Sequence, residues 1–248
     1  MKIKHYMLSA LALAFATVAT AQTQVIAHRG YWQTEGSAQN SITSLQRAGD
    51  IGVYGSEFDV QLTADQVIVV NHDDNIQGHV ISATKYEDLK DLKLANGEKL
   101  PTFRQYLEAG KKCPDLKMIL EIKPHKTKAE EDTISSLCVR MVKDMGMENQ
   151  VDYISFSMNV CEQLARLTPG STISYLRGDK APGELKPKGI NGIDYHFKVI
   201  QQNPQWVEEA HALGMIVNVW TVNDMDVVRQ MKDLKVDYIT TDIPEKVK

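Results

Sequence analysis

The chain has no excess of positive charge, few cysteines and a single long apolar run, and each shortage excludes a class of protein. Lys and Arg number 28 against 32 Asp and Glu, a formal charge of -4, so the basic surface that grips nucleic-acid phosphates is missing. Its three cysteines, Cys113, Cys138 and Cys161, form no CxxC pair and are too few and too odd for a disulfide scaffold. Cys138 and Cys161 fall on apolar positions of helical patterns, which reads them as buried free thiols. No Pro-, Gly- or Ser-rich linker divides the sequence. No GxGxxG follows the first strand, which leaves an open, doubly wound dinucleotide-binding sheet without support. With 43% hydrophobic and 24% charged residues among 248, the chain is neither disordered nor fibrous nor a multi-span membrane protein.

The long apolar run stands at the start. Lys2 and Lys4 precede Met7 to Val18, and Ala19-Thr20-Ala21 places small residues where a signal peptidase cuts before Gln22. Residues 1–21 therefore read as a cleavable signal peptide, and residues 22–248 as one domain destined for the periplasm or for secretion. The run is shorter than the roughly 20 residues that span a bilayer, and no Cys follows the cut to carry a lipid, so no stable membrane anchor is expected. The mature chain would have 26 bases against 32 acids, a charge of -6.

Beyond the signal, β-branched runs alternate with amphipathic ones. Strands are predicted at Val25–His28, Tyr54–Val60, Val67–His72, Lys117–Ile122, Val151–Ser157, Thr172–Leu176, Gly192–Phe197, Ile216–Thr221 and Asp237–Thr241. The clearest helix joins Ile134, Leu137, Cys138, Met141, Val142 and Met145 at helical spacing, with Gly146 at its end. Others are predicted at Asn40–Ala48, Thr102–Ala109, Met158–Leu167, Pro204–Leu213 and Asp224–Leu234. Such alternation predicts parallel strands with helical crossovers. Only Gln61 to Gln66 separates the second and third runs, too few residues for a crossover, so these two form a hairpin. A turn centred on Ala64-Asp65 sets Glu57 opposite His72 and Asp59 opposite Val70. Eight parallel strands remain, the number that closes a (β/α)₈ (TIM) barrel.

In that fold the strands' C-terminal ends carry the chemistry. The first run ends in His28-Arg29-Gly30, the second holds Glu57-Phe58-Asp59, its returning arm ends in Asn71-His72-Asp73, and the fourth ends in Glu121-Ile122-Lys123. Side chains two apart share a strand face, so Glu57 pairs with Asp59 and Glu121 with Lys123. Three carboxylates at one barrel mouth repel unless a cation lies between them. Their oxygens suit a hard divalent ion, Mg²⁺ or Ca²⁺, better than Zn²⁺. Beside such an ion, His28 and His72 can divide proton removal and delivery at a phosphodiester. Arg29 offers paired donors to phosphate oxygens and Lys123 a point charge. Trp220 reads equally as core packing or as a wall against substrate. His79, His125, His196 and His211 read as surface or capping residues.

Together these segments resemble the glycerophosphodiester phosphodiesterases, over nearly all of the mature chain. The resemblance rests on His28-Arg29-Gly30, Glu57 to Thr63, His72-Asp73, Glu121-Ile122-Lys123, Ser155-Phe156, Trp220 to Asn223, Val236-Asp237 and Thr241 to Glu245. It implies a TIM barrel that hydrolyses small glycerophosphodiesters to glycerol 3-phosphate and an alcohol. By that likeness His28 and His72 are the acid and base, Glu57, Asp59 and Glu121 hold the metal, and Arg29 and Lys123 contact phosphate. The resemblance also implies attack by the substrate's neighbouring hydroxyl, giving a cyclic phosphate that water opens. Asp73 to Leu100 would be a short form of the family's insertion over the site. Two stretches depart from the family pattern. Ala38-Gln39-Asn40-Ser41 stands where Pro-Glu-Asn-Thr is common, and Asp74 to His79 lacks the usual Leu-Asp-Arg-Thr-Thr.

Other functions fit the sequence less well. A phospholipase acting on intact lipids would want an exposed apolar rim. A non-catalytic exported protein that binds phosphorylated ligands would have no need of both histidines and all three acids. A glycosidase needs carboxylates on opposite sides of a sugar bond, which Glu57 and Asp59 on one strand do not give.

Overall fold

Period-two alternation along the β-branched runs sends one set of side chains into a barrel and the other against surrounding helices. The computed structural model describes residues 22–248; the expected signal peptide, residues 1–21, lies outside the described residues. The strands are β1 (Gln24–Ala27), β2 (Gly55–Leu62), β3 (Ile68–Val70), β4 (Asn75–Ile76), β5 (His79–Val80), β6 (Lys117–Ile122), β7 (Val151–Ser155), β8 (Ile173–Tyr175), β9 (Gly192–His196), β10 (Ile216–Trp220) and β11 (Tyr238–Thr241). Parallel pairing runs β1-β2-β6-β7-β8-β9-β10-β11 and returns to β1, a closed eight-stranded TIM barrel. On β6, Met118, Leu120 and Ile122 pack outward into the main core, while Ile119 joins Ile26, Ile154 and Leu176 in a separate cluster inside the barrel.

The returning arm is β3, antiparallel to β2, but its register differs by one residue from the sequence expectation. Val60 lies opposite Val70 and Leu62 opposite Ile68. The cause is Gln66, whose φ of 64° makes Ala64-Asp65-Gln66 a three-residue loop. Thr63 accepts from the Gln66 N–H and donates its own N–H to the Val67 carbonyl, the turn-plus-bulge geometry of such hairpins. Asp59 therefore faces Asn71, whose N–H donates to its carbonyl at 3.0 Å, and not Val70.

The helices match the amphipathic pattern with small shifts at their starts. That expected from Asn40 begins at Ile42, with Ser41 as its cap accepting from the Ser44 N–H, because Asn40 is held at a φ of 59° and turned elsewhere. The segment from Asp73 to Leu100 forms a small unit on the barrel's rim, with β4 and β5 as a hairpin and a buried cluster of Ile76, Ile81, Leu89 and Leu100 packed on Val69 of β3. It is tied to the barrel by Glu98, whose carboxylate accepts from the N–H groups of Ile42 and Thr43 at 3.0 and 3.3 Å. A carboxylate there completes donors that the first helical turn leaves free and meets the positive end of the helix dipole. Glu98→Ala is expected to lower stability by about 1 kcal/mol, read by urea denaturation; an unchanged midpoint would show that water replaces the contact.

Candidate active site

β1 stops at Ala27, and the chain turns sharply through Arg29 and Gly30 with φ of 54° and 77°. Left-handed backbone at an arginine costs energy, and here it is imposed by bonds on both sides. The Arg29 N–H donates to Glu57 Oε2 at 2.8 Å and the Gly30 N–H to the Glu57 carbonyl at 3.1 Å. A Cβ on Gly30 would lie 2.3 Å from Ser44 Oγ, so that position is closed to other residues. The turn swings His28 and the Arg29 guanidinium to the mouth of the barrel.

Glu57 and Asp59 on β2 and Glu121 on β6 share the inward face, and each offers an oxygen within 4.8 Å of the others'. All three are buried, and Glu57 Oε1 and Glu121 Oε1 lack hydrogen-bond partners. Lys123 Nζ lies 2.8 Å from Glu121 Oε1 without hydrogen-bond alignment, and donates to Asp59 Oδ1 at 3.2 Å. Burial, then the neighbouring Asp59, raises the Glu57 carboxyl well above its usual range and that of Glu121 to about 8. Burial works on Asp59 in the same direction, but Lys123, His72 and a hydrogen bond from Asn40 outweigh it and hold Asp59 low. One ammonium and one guanidinium beside three acids leave the set short of positive charge. Converging, partly unpartnered carboxylates of this kind fit a divalent cation with oxygen ligands.

Both histidines are anchored by an aspartate. His28 Nδ1 lies 2.7 Å from Asp242 Oδ1, and His72 Nδ1 lies 2.7 Å from Asp73 Oδ1. With Nδ1 donating to a carboxylate, Nε2 is the nitrogen left for proton transfer. Asp242 also accepts from Trp32 Nε1 at 3.1 Å and Asn223 Nδ2 at 2.7 Å. Burial would raise its carboxyl, but the bonds from His28 and Asn223 prevail and lower it to about 2. For His72 burial dominates over the pull of Asp59 and lowers its pKa, which favours the neutral ring near pH 7.

The cleft formed here has a volume of about 120 Å³ and is lined by His28, Arg29, Glu57, His72, Glu121 and Lys123 on one side, with Trp220 across from them. Asp59 lies just behind, covered by Lys123 and by Arg29, whose Nε is 3.8 Å from Asp59 Oδ2. Every sequence-selected residue is thus at or directly behind one cleft. A larger cavity of about 500 Å³, lined by Gln24, Tyr54, Tyr238 and Lys248 among others, lies at the opposite end of the barrel, away from this cluster. Trp220 both lines the cleft and packs edge-on to Phe156 and His196 at ring separations of 5.6 and 5.2 Å. His196 caps the helix Phe197–Gln202, and His211 bonds Asp237. All three cysteines are free, with Cys138 and Cys161 buried.

Four neighbours of the site escaped the sequence reading. Asn40 donates to Asp59 Oδ2 at 2.9 Å and accepts from the Asp59 N–H at 3.2 Å, fixing that carboxylate; its place after Gln39 was the one available hint. Trp32, Asn223 and Asp242 meet only through the fold. Gln39 Oε1 accepts from Arg29 Nη1 at 2.7 Å, so the amide keeps a contact to the guanidinium without neutralising it.

Residues 28–246 match the model of the glycerophosphoryl diester phosphodiesterase family. A glycerophosphodiester phosphodiesterase of Caldanaerobacter subterraneus is 30% identical over 242 residues, covering 90% of this chain and 96% of that protein. The crystal structure of a glycerophosphodiester phosphodiesterase from Parabacteroides distasonis is 53% identical, with a TM-score of 0.91 over 92% of this chain and 96% of that one. An Oleispira antarctica phosphodiesterase, solved in complex with the product sn-glycerol-3-phosphate, is 25% identical with a TM-score of 0.78, over 91% of this chain and 95% of that one.

Proposed function

The chain belongs to the glycerophosphoryl diester phosphodiesterase family and is a phosphoric diester hydrolase acting on glycerophosphodiesters, and from that premise we propose that it works with a divalent ion and two histidines. Glu57, Asp59 and Glu121 would hold Mg²⁺ or Ca²⁺, and the observation that carries this is the buried convergence of their oxygens within 4.8 Å. A bound ion would polarise phosphate oxygens and stabilise the charge that builds on them. Arg29, with Nε unpartnered, and Lys123 would bind the same phosphate from the protein side. His28 and His72 would act as the acid and base, each through Nε2. One takes the proton of the attacking hydroxyl as the new P–O bond forms, and the other gives a proton to the alkoxide as the old one breaks. That step would release the alcohol and leave a cyclic phosphate, which water would open with the two histidines' roles exchanged to give glycerol 3-phosphate, and Trp220 would wall the substrate.

Soluble diesters fit better than intact lipids. Among the described residues the exposed large apolar side chains are Val80, Leu167 and Met225, on separate elements and forming no rim. No described helix is long and apolar enough to cross a membrane. The leader read at residues 1–21 supports periplasmic or secreted delivery.

Calorimetric titration of chelated protein with Mg²⁺ or Ca²⁺ tests the metal reading directly. One ion per chain is expected, with a thermal midpoint that rises with ion concentration as binding to the folded state requires, and with loss of binding in Glu121→Gln. A flat titration with both ions would refute the assignment.

A further inference from the structure

Position 39 sets a neutral side chain against the guanidinium that lines the cleft. Its neighbour fixes it there. The Asn40 N–H donates to the Arg29 carbonyl at 3.0 Å, and the Asn40 side chain donates to Asp59 Oδ2 at 2.9 Å, so position 39 lies beside Arg29 whatever side chain it carries. Gln39 fills it, half-buried, with Oε1 accepting from Arg29 Nη1 at 2.7 Å. A guanidinium has donors only, so the amide turns its oxygen to it. The same position is where the sequence leaves the Pro-Glu-Asn-Thr pattern, an amide replacing a carboxylate. No step of the catalytic scheme uses Gln39.

The difference is one of charge. Among the described residues the acid paired with Arg29 is Asp59, whose Oδ2 is 3.8 Å from Nε, and that carboxylate is already shared with Lys123 and Asn40. The Arg29 side chain is 18% exposed, so water only partly screens a charge set beside it. A Glu at position 39 would form a short charge-assisted bond to Nη1 and neutralise much of the guanidinium's attraction for other anions. The amide oxygen orients the same nitrogen and leaves its charge in place. Counting Lys123, Arg29 and a divalent ion against three ionised acids, the phosphate side carries one net positive charge, which a fourth carboxylate would cancel. A phosphodiester brings one negative charge to that side, whereas a phosphomonoester brings about 1.5 to 2 at pH 7. The more highly charged product therefore gains most from the surplus.

We propose that Gln39 is a specificity-determining residue: by holding Arg29 through a neutral oxygen it leaves the guanidinium's charge for phosphate, and the cleft retains the dianionic product more tightly than a carboxylate at that position would allow. The inference rests on the catalytic reading for one point, that Arg29 binds phosphate. Accumulated glycerol 3-phosphate would then slow the enzyme through the same guanidinium that binds its substrate.

Calorimetry with glycerol 3-phosphate at pH 8, with Mg²⁺ supplied, compares wild type with Gln39→Glu and Gln39→Met. The Glu variant is expected to bind about tenfold more weakly, the effect of one added charge in a partly buried site. The Met variant has similar length and no charge, and should weaken binding far less. Kinetics add a second reading. The ratio of the product's inhibition constant to the KM of glycerophosphoethanolamine should rise about threefold or more in Gln39→Glu, because the product carries the larger negative charge. Product affinity unchanged in Gln39→Glu would overturn the proposal, as would an unchanged ratio. A Met variant as weak as the Glu one would do the same, since the hydrogen bond and not the charge would then matter, and that comparison with wild type stands even if Gln39→Glu does not fold. Arg29→Met locates a failure. If it leaves product affinity untouched, the phosphate reading itself is wrong; a fall there with none in Gln39→Glu refutes this inference alone.

Discussion

Glu57→Gln is expected to lower kcat/KM by about a thousandfold or more, and exhaustive chelation should bring the wild-type enzyme to a similar floor, with recovery on adding Mg²⁺ or Ca²⁺. A metal ion that stabilises phosphate charge contributes several kcal/mol at the transition state, and about 4 kcal/mol corresponds to that factor. The amide keeps the size and the oxygen of Glu57 but loses the charge that holds the cation. Stability should move the other way. Burial and the neighbouring acids push Glu57 and Glu121 up, the latter to about 8, so the metal-free fold holds these protons more tightly than the unfolded chain does. Stability of the metal-free protein is then full below pH about 4.5 and falls as pH rises through about 8. Glu121→Gln should flatten that slope, and bound metal should offset it. Urea midpoints at several pH values, with and without metal, would show this. A Glu57→Gln enzyme working at the wild-type rate, or activity untouched by chelation, would remove the ion from the reaction.

The same triad shows what a sequence can disclose. Glu57 and Asp59 are two apart in a β-branched run, as are Glu121 and Lys123, and strand geometry alone put each pair on one face. That β2 and β6 are neighbours followed from chain order in a barrel, whereas the register that sets Asp59 opposite Glu121 did not. Local turn geometry was less legible. The hairpin register turned on whether Gln66 adopts a left-handed conformation, which a non-glycine residue gives little sign of, and one residue's difference moved His72 from opposite Glu57 to opposite Phe58. Long-range partners left no pattern at all. Asp242 is 214 residues from His28, and although Thr241 to Glu245 helped carry the family resemblance, nothing in the sequence paired this acid with that histidine.

His72→Ala is expected to lower kcat/KM by about 10³- to 10⁴-fold, the upper part of the range for general acid–base catalysis, while affinity for glycerol 3-phosphate changes only severalfold. His28→Ala should behave alike. The double variant should lose far less than the product of the two, because one proton cannot usefully move when its counterpart is gone. The anchoring aspartates separate positioning from chemistry. Asp242→Asn keeps an acceptor near His28 Nδ1 but also offers a donor there, which admits the wrong tautomer and lowers the rate by about ten- to a hundredfold. His72 is exposed on 36% of its side chain and Asp73 on 71%, so Asp73→Asn should cost less than Asp242→Asn, whose carboxylate is 15% exposed and shared with Trp32 and Asn223. A merely structural Asp242 would leave the pH profile of kcat/KM unchanged once folding is intact, whereas an orienting one alters it. Full activity in His72→Ala would exclude that imidazole from proton transfer.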